Sequence, residues 1–245
     1  MSTGVPDRVE LLRFSSAEEL AAAVAARWVE TLARRVDPAE NHTVALPGGR
    51  IAAGFFAKVV SLIRERQVSI AGVHFFWGDE RCVPPDSAES NFAPALAGLL
   101  SPLNVAPDQI HRIRGEADPV FALAEADAEL CRVASLNADG MPVLDLVLLG
   151  MGEDGHVASL FPNAFPRAVA ARVPFMHVTD SPKPPPGRIS LSYAALAAAR
   201  EVWVLASGKG KEAALRASLS SAGTTPLARV IGSRLTTRIF TDIVI

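Results

Sequence analysis

Apolar stretches of strand length alternate along this chain with longer stretches in which apolar residues return every three or four positions. Val9 to Phe14 reads as a strand. Behind it, Ser16-Ala17-Glu18-Glu19 fits a capping box, in which a serine hydroxyl and a carboxylate three residues on satisfy orphan N–H groups at a helix start. The helix it opens carries Leu20, Val24, Trp28 and Leu32 on one face, and Pro38 lies beyond its end. Thr43 to Leu46, Val73 to Trp77, Val143 to Leu149 and Glu201 to Ala206 read as further strands, mostly unalternating and β-branched or aromatic, as strands buried on both faces are. Helices are expected over 50–66, 91–100, 117–135 and 209–220. This order predicts an α/β fold: an open, mainly parallel twisted sheet with helices on both faces, Rossmann-like in its winding.

The 245 residues suit one large domain or two small ones, and with neither an internal repeat nor a linker of disordered composition we expect a single domain over 1–245. Ser181-Pro-Lys-Pro-Pro-Pro-Gly187 is too rich in proline for a helix or a central strand and reads as a stiff surface loop. A net charge of −2 leaves no basic excess for nucleic acid, although one local pocket can still be positive enough for a small phosphorylated ligand. The two cysteines, Cys82 and Cys131, and the five histidines show no metal-binding spacing, so no metal is expected. The apolar stretch Leu20 to Ala26 is too short and wrongly flanked for a signal peptide, and no run approaches the roughly 18 residues of a membrane span. A cytoplasmic protein without a membrane partner is expected.

Ligands of open parallel sheets bind where strands end, which directs attention to the loops there. Pro47-Gly48-Gly49-Arg50 turns from a strand into a helix: its glycines serve either the turn alone or, with free N–H groups and the Arg50 guanidinium, an anion. Gly78-Asp79-Glu80-Arg81 brings three charges to the same edge, either as an ion pair and helix cap or with Arg81 on a phosphate or oxyanion; Ser90-Asn91 downstream reads as a helix N-cap. Gly150, Gly152 and Gly155 match G-x-G-x-x-G, but Glu153 and Asp154 would repel a pyrophosphate, and Pro162 and Pro166 interrupt the helix a dinucleotide site needs. What that loop offers instead is His156 beside Asp154: either a cap for the short turn behind it or a proton-transfer group with a carboxylate to fix its tautomer. Ser159 lacks the glycines of a nucleophile elbow. Gly208-Lys209-Gly210-Lys211 is a further anion site or a solvated lysine pair.

Together these loops resemble the 6-phosphogluconolactonase family, within the group that also holds the glucosamine-6-phosphate isomerases/deaminases, and the likeness runs nearly end to end. Leu149-Gly-Met-Gly-Glu-Asp-Gly-His-Val-Ala-Ser-Leu-Phe-Pro162 looks like the family's G-x-G-x-D-G-H-x-x-S-L-F-P signature. Trp77-Gly-Asp-Glu-Arg-Cys-Val-Pro84 with Ser90-Asn91 is similar to its D-E-R…V-P…S-N block, and Arg188-Ile-Ser-Leu191 and Gly208-x-x-Lys211 to two weaker motifs. Two departures stand out. Pro47-Gly-Gly-Arg-Ile-Ala52 replaces a hydroxyl-bearing Ser-Gly-Gly-Ser/Arg-Thr-Pro loop, and Phe240-Thr-Asp242-Ile-Val-Ile245 is shorter than the usual tail.

The resemblance implies hydrolysis of 6-phospho-D-glucono-1,5-lactone with neither metal nor organic cofactor. It implies His156 as general base, Asp154 either orienting the imidazole or contacting sugar hydroxyls, and Arg81 on the oxyanion or phosphate. Gly48, Gly49, Arg50, Asp79, Glu80, Asn91, Gly152, Gly155, Arg188 and Lys211 would surround the substrate. The expected partner is a small sugar phosphate, and the expected state a monomer or weak homodimer. The rival on the same scaffold, an amino-sugar-phosphate isomerase/deaminase, typically has D-E-Y where this chain has Asp79-Glu80-Arg81. A DNA-linked sugar-phosphate sensor is not expected, because no helix-turn-helix pattern precedes Val9.

Overall fold

The computed structural model describes residues 6–164 and 170–245; Pro166 lies outside them. Strand β1 (Val9–Arg13) leads into α1 (Ala17–Ala33), β2 (His42–Leu46), α2 (Arg50–Arg66) and β3 (Val73–Trp77). Later come α4 (Pro119–Val133), β7 (Leu146–Gly150), β10 (Glu201–Ala206), α6 (Glu212–Leu219), α7 (Pro226–Gly232) and β11 (Thr237–Thr241). Six strands form one wholly parallel sheet in the order β1-β11-β10-β7-β2-β3. From β1 at one edge the chain crosses to β2 and then β3 at the other edge, and steps back through β7, β10 and β11, so right-handed crossovers put α1 and α2 on one face and the crossover helices α4, α6 and α7 on the other. Trp28 of α1 is fully buried, with its ring centroid 5.9 Å from Phe55 of α2 and 6.3 Å from Phe75 of β3. The expected mainly parallel α/β architecture is the one observed.

Details differ for identifiable reasons. Ser16 Oγ caps α1 by accepting the Glu19 N–H at 3.2 Å, but the Glu19 carboxylate closes on Ser15 N–H instead of Ser16, so the box is shifted by one residue. Val143 to Leu149 is not one strand. β6 (Pro142–Val143) pairs with β5 (Ser135–Leu136) in a separate ribbon, and β7 begins only at Leu146. The break is made by Asp145, whose carboxylate turns sideways to accept Thr43 N–H at 2.8 Å and Thr43 Oγ–H at 2.9 Å and to pair with Arg200 at 2.9 Å. The helix expected over 91–100 is α3 (Phe92–Ala95) followed by a wider π turn over Leu96–Leu100. The helix expected from 209 starts at Glu212, because Gly208 and Gly210 hold the left-handed φ values of 103° and 83°.

Strand β11, inserted between β1 and β10, was not anticipated, and neither was a second sheet. There β4 (Asp79–Arg81) pairs antiparallel with β9 (Arg188–Leu191), and β9 with β8 (Phe175–Val178). The short helix α5 (Tyr193–Ala198) follows β9. Among the described residues no helix is long and apolar enough to cross a membrane. Because Asp145 ties the starts of β2 and β7 together, Asp145→Ala should lower unfolding stability by about 1.5–3 kcal/mol, the range for hydrogen bonds to a charged group. A denaturant titration checks this, and an unchanged midpoint would refute the clamp.

Candidate active site

Strands β2, β3, β7 and β10 all end at one edge, where their loops and β4 enclose a cleft of about 330 Å³. Gly48, Gly49 and Arg50 line it after β2, Asp79 and Arg81 from β4, His156 after β7, Arg188 from β9, and Ser207, Gly208 and Lys211 after β10. His156 Nδ1 lies 2.5 Å from Asp154 Oδ1, and Asp154 also accepts the His156 N–H. An ionised carboxylate only accepts, so the proton sits on Nδ1 and the Nε2 lone pair is left for the cleft. Burial pushes the imidazole pKa below its ordinary value against the opposing pull of Asp154. Burial also raises the Asp154 carboxyl, but its hydrogen bonds and charge interaction with His156 outweigh that and hold it below the usual range. At neutral pH the pair is therefore a neutral imidazole on an ionised carboxylate.

The loop glycines explain how this dyad fits. A Cβ on Gly152 would stand 2.0 Å from the His156 ring and 2.7 Å from Asp154 Oδ1, so a side chain there would displace the imidazole. Gly155 has φ 78° and no room beside Thr225. Gly48 packs against Asn91, whose amide oxygen a Cβ would meet at 2.3 Å. Gly152, Gly155 and Asn91 thus shape the cleft without lining it.

Glu80 also lies behind the wall. It is buried and accepts from Arg81 N–H, Asn91 N–H, Phe92 N–H and Ser90 Oγ–H, which ties β4 to the start of α3. Burial raises its pKa despite those donors. Asn91 does not cap the helix with its side chain; its amide donates to the Asp79 carbonyl and carboxylate at 2.9 and 3.3 Å. Ser159, fully buried, donates to Asp79 Oδ2 at 2.6 Å and has no access to the cleft.

The four cations of the cleft are not equivalent. Arg188 is buried and its guanidinium is spent on the carbonyls of Lys183, Pro184 and Pro185, so it fastens the proline-rich loop to the wall; its remaining nitrogen stands 3.9 Å from Asp79. Arg81 donates to the Glu89 carbonyl at 2.7 Å and pairs loosely with the Glu89 carboxylate, while its Nε has no partner among the described residues. The side chains of Arg50 and Lys211 make no hydrogen bond or ion pair among the described residues. Burial lowers the Lys211 pKa, and the charge of nearby Arg50 lowers it further. The charges of Glu153 and Asp242 act on Lys211 in the opposite sense without pairing with it, and two cations close enough to repel one another in a concave site, neither held in an ion pair among the described residues, suit an anion of more than one charge. Among the described residues no group of three or more His, Cys, Asp or Glu side chains is placed to hold a metal ion.

Sequence reasoning missed the supporting roles of Ser159 and Ser190, both buried, and of half-buried Asp242. Ser190 Oγ accepts the Ser159 N–H at 3.1 Å, and Asp242 accepts from Ser207 and Gly208. These contacts follow from strand pairing, which spacing along the chain does not reveal.

Residues 15–239 match the model of the glucosamine-6-phosphate isomerases/6-phosphogluconolactonase family. The chain is 35% identical over 231 residues to a 6-phosphogluconolactonase of Mycobacterium leprae, covering 91% of this chain and 92% of that protein. Among solved structures it resembles the devB protein, with TM-score 0.86, 28% identity and coverage of 95% of this chain and 96% of that one. It also resembles the 6-phosphogluconolactonase of Trypanosoma brucei, with TM-score 0.79, 27% identity and 97% coverage of both.

With the His156 pKa lowered, a rate that depends on neutral His156 is kept above that pKa and lost as pH falls through it. The acid limb of kcat/KM should therefore have its midpoint below about 6.5, the unperturbed imidazole value. A pH–rate profile checks this, and a midpoint above that value, or no acid limb, would contradict it.

Proposed function

The chain belongs to the glucosamine-6-phosphate isomerases/6-phosphogluconolactonase family, and from that footing we propose that it hydrolyses 6-phospho-D-glucono-1,5-lactone to 6-phospho-D-gluconate in the oxidative pentose phosphate pathway. One observation carries this reading: a single cleft holds a neutral, carboxylate-oriented imidazole together with two cations whose side chains form no ion pair among the described residues. Arg50 and Lys211 hold the 6-phosphate, since Arg188 is committed to loop carbonyls and Arg81 to Glu89.

In the proposed reaction a water bound at His156 Nε2 gives up its proton to the imidazole as its oxygen adds to the lactone carbonyl carbon. Asp154 stabilises the imidazolium that forms. Arg81, whose side chain lines the cleft, together with N–H groups of the glycine loops, stabilises the negative charge on the carbonyl oxygen. The bond to the ring oxygen then breaks, and the imidazolium returns its proton to that oxygen, leaving a carboxylic acid that ionises and a free hydroxyl. No step calls on a metal. The arrangement favours this over isomerisation, because the position typical of tyrosine in that group is Arg81, and Tyr193, the one tyrosine in the chain, lies outside the cleft wall. We place this one-domain protein in the cytoplasm as a monomer or weak homodimer whose partner is the sugar phosphate.

Purified protein should accelerate opening of freshly generated 6-phosphogluconolactone above an enzyme-free blank, with the same rate in EDTA. A rate equal to the blank would overturn the assignment, and loss of the rate on chelation would overturn its metal-free part.

A further inference from the structure

Strands β10 and β11 end in register, Ala206 opposite Thr241, so the next residues, Ser207 and Asp242, leave the sheet side by side at the cleft edge. Asp242 uses both carboxylate oxygens there: Oδ2 accepts Ser207 Oγ–H at 2.9 Å and Oδ1 accepts Gly208 N–H at 3.3 Å. The loop it holds needs holding. Gly208 and Gly210 both lie in the left-handed region, at φ 103° and 83°, and two glycines allow the chain many other paths between β10 and α6. Lys211, at the N-cap of α6, is aimed into the cleft only if this path is kept.

The mount behind Asp242 is firm. Thr241 is fully buried, its carbonyl accepts Phe14 N–H at 2.8 Å and its hydroxyl accepts Ile243 N–H at 3.0 Å. Ser207, Gly208 and Lys211 line the cleft, whereas Asp242 does not. Its negative charge also opposes the burial and cationic neighbours that act on the Lys211 ammonium.

We propose that Asp242 is a positioning residue for phosphate recognition: it sets the Ser207–Lys211 loop so that the Lys211 ammonium and the loop N–H groups meet the substrate phosphate, without touching substrate itself. This rests on the reading of Lys211 as a phosphate ligand. It also gives the segment after β11 a task, since the carboxylate that organises the loop is the first residue after that strand.

The test compares 6-phosphogluconolactone with unphosphorylated glucono-1,5-lactone, each corrected for spontaneous opening. Asp242→Ala should raise KM for the phosphorylated lactone about tenfold, the equivalent of one hydrogen bond of ordinary strength, and leave its kcat within about twofold. Its kcat/KM on the unphosphorylated lactone should stay within about twofold of wild type. Asp242→Asn, which keeps one acceptor oxygen, should fall between, and it carries the test if the alanine variant does not fold. An unchanged KM, or the same fractional loss on both lactones, would overturn the proposal. A wild type that turns over both lactones equally well would instead remove the phosphate reading of the cleft, and the inference with it.

Discussion

In a wholly parallel sheet every strand delivers its last residue to the same edge, so Leu46, Trp77, Gly150, Ala206 and Thr241 end close together and the loops after them must share one space. The backbone N–H groups freed at that edge and the starts of the following helices favour negative charge. Here the side chains add to that bias. Arg50, Arg81, Arg188 and Lys211 all line the cleft, against Asp79 as the one carboxylate of its wall among the described residues. Like charges gathered in this way cost stability unless a ligand or a buried partner compensates them, and the compensation is uneven. Arg188 is satisfied by loop carbonyls and Asp79, and Arg81 by Glu89, while Arg50 and Lys211 are left for something that binds.

The second constraint is the small space around the dyad. His156 can sit on Asp154 only because position 152 has no Cβ, and its ring lies 4.6 Å from that of Phe161, which helps keep it out of bulk water. Behind the loop, Ser159 locks onto Asp79 and Ser190, so the turn that carries the imidazole is held by the antiparallel sheet as well as by β7. The small second sheet is thus the support that fixes the loop carrying His156 against the parallel one.

Much of this was legible in the order of residues. The four parallel strands with continuous apolar runs, the helices at 17–33 and 50–66, the glycine loops, and the pairing of His156 with Asp154 all follow from local pattern. What was not legible depends on geometry across the sheet. Read as a loop, Gly78-Asp79-Glu80-Arg81 offered three charges to the cleft; as a strand it alternates, so Asp79 and Arg81 face the cleft while Glu80 points behind and ties down α3. Asn91 is legible only once Gly48 is seen to pack against it. Arg188 stood beside a proline-rich loop in the sequence, but nothing local says that its guanidinium is consumed by that loop's carbonyls. Asp242 has no local signal at all, because its partners are 34 and 35 residues away and are brought to it by the register of β10 on β11.

The central claim is that His156, not a serine or a bound ion, moves the proton. The most direct measurement is the kcat of His156→Asn on 6-phosphogluconolactone at the pH of maximal wild-type rate, with the spontaneous rate subtracted and binding of 6-phosphogluconate measured in parallel. A general base contributes about 10²–10⁴-fold, so kcat should fall by that order while product binding persists. A folded variant that binds product and keeps most of its kcat would contradict the account.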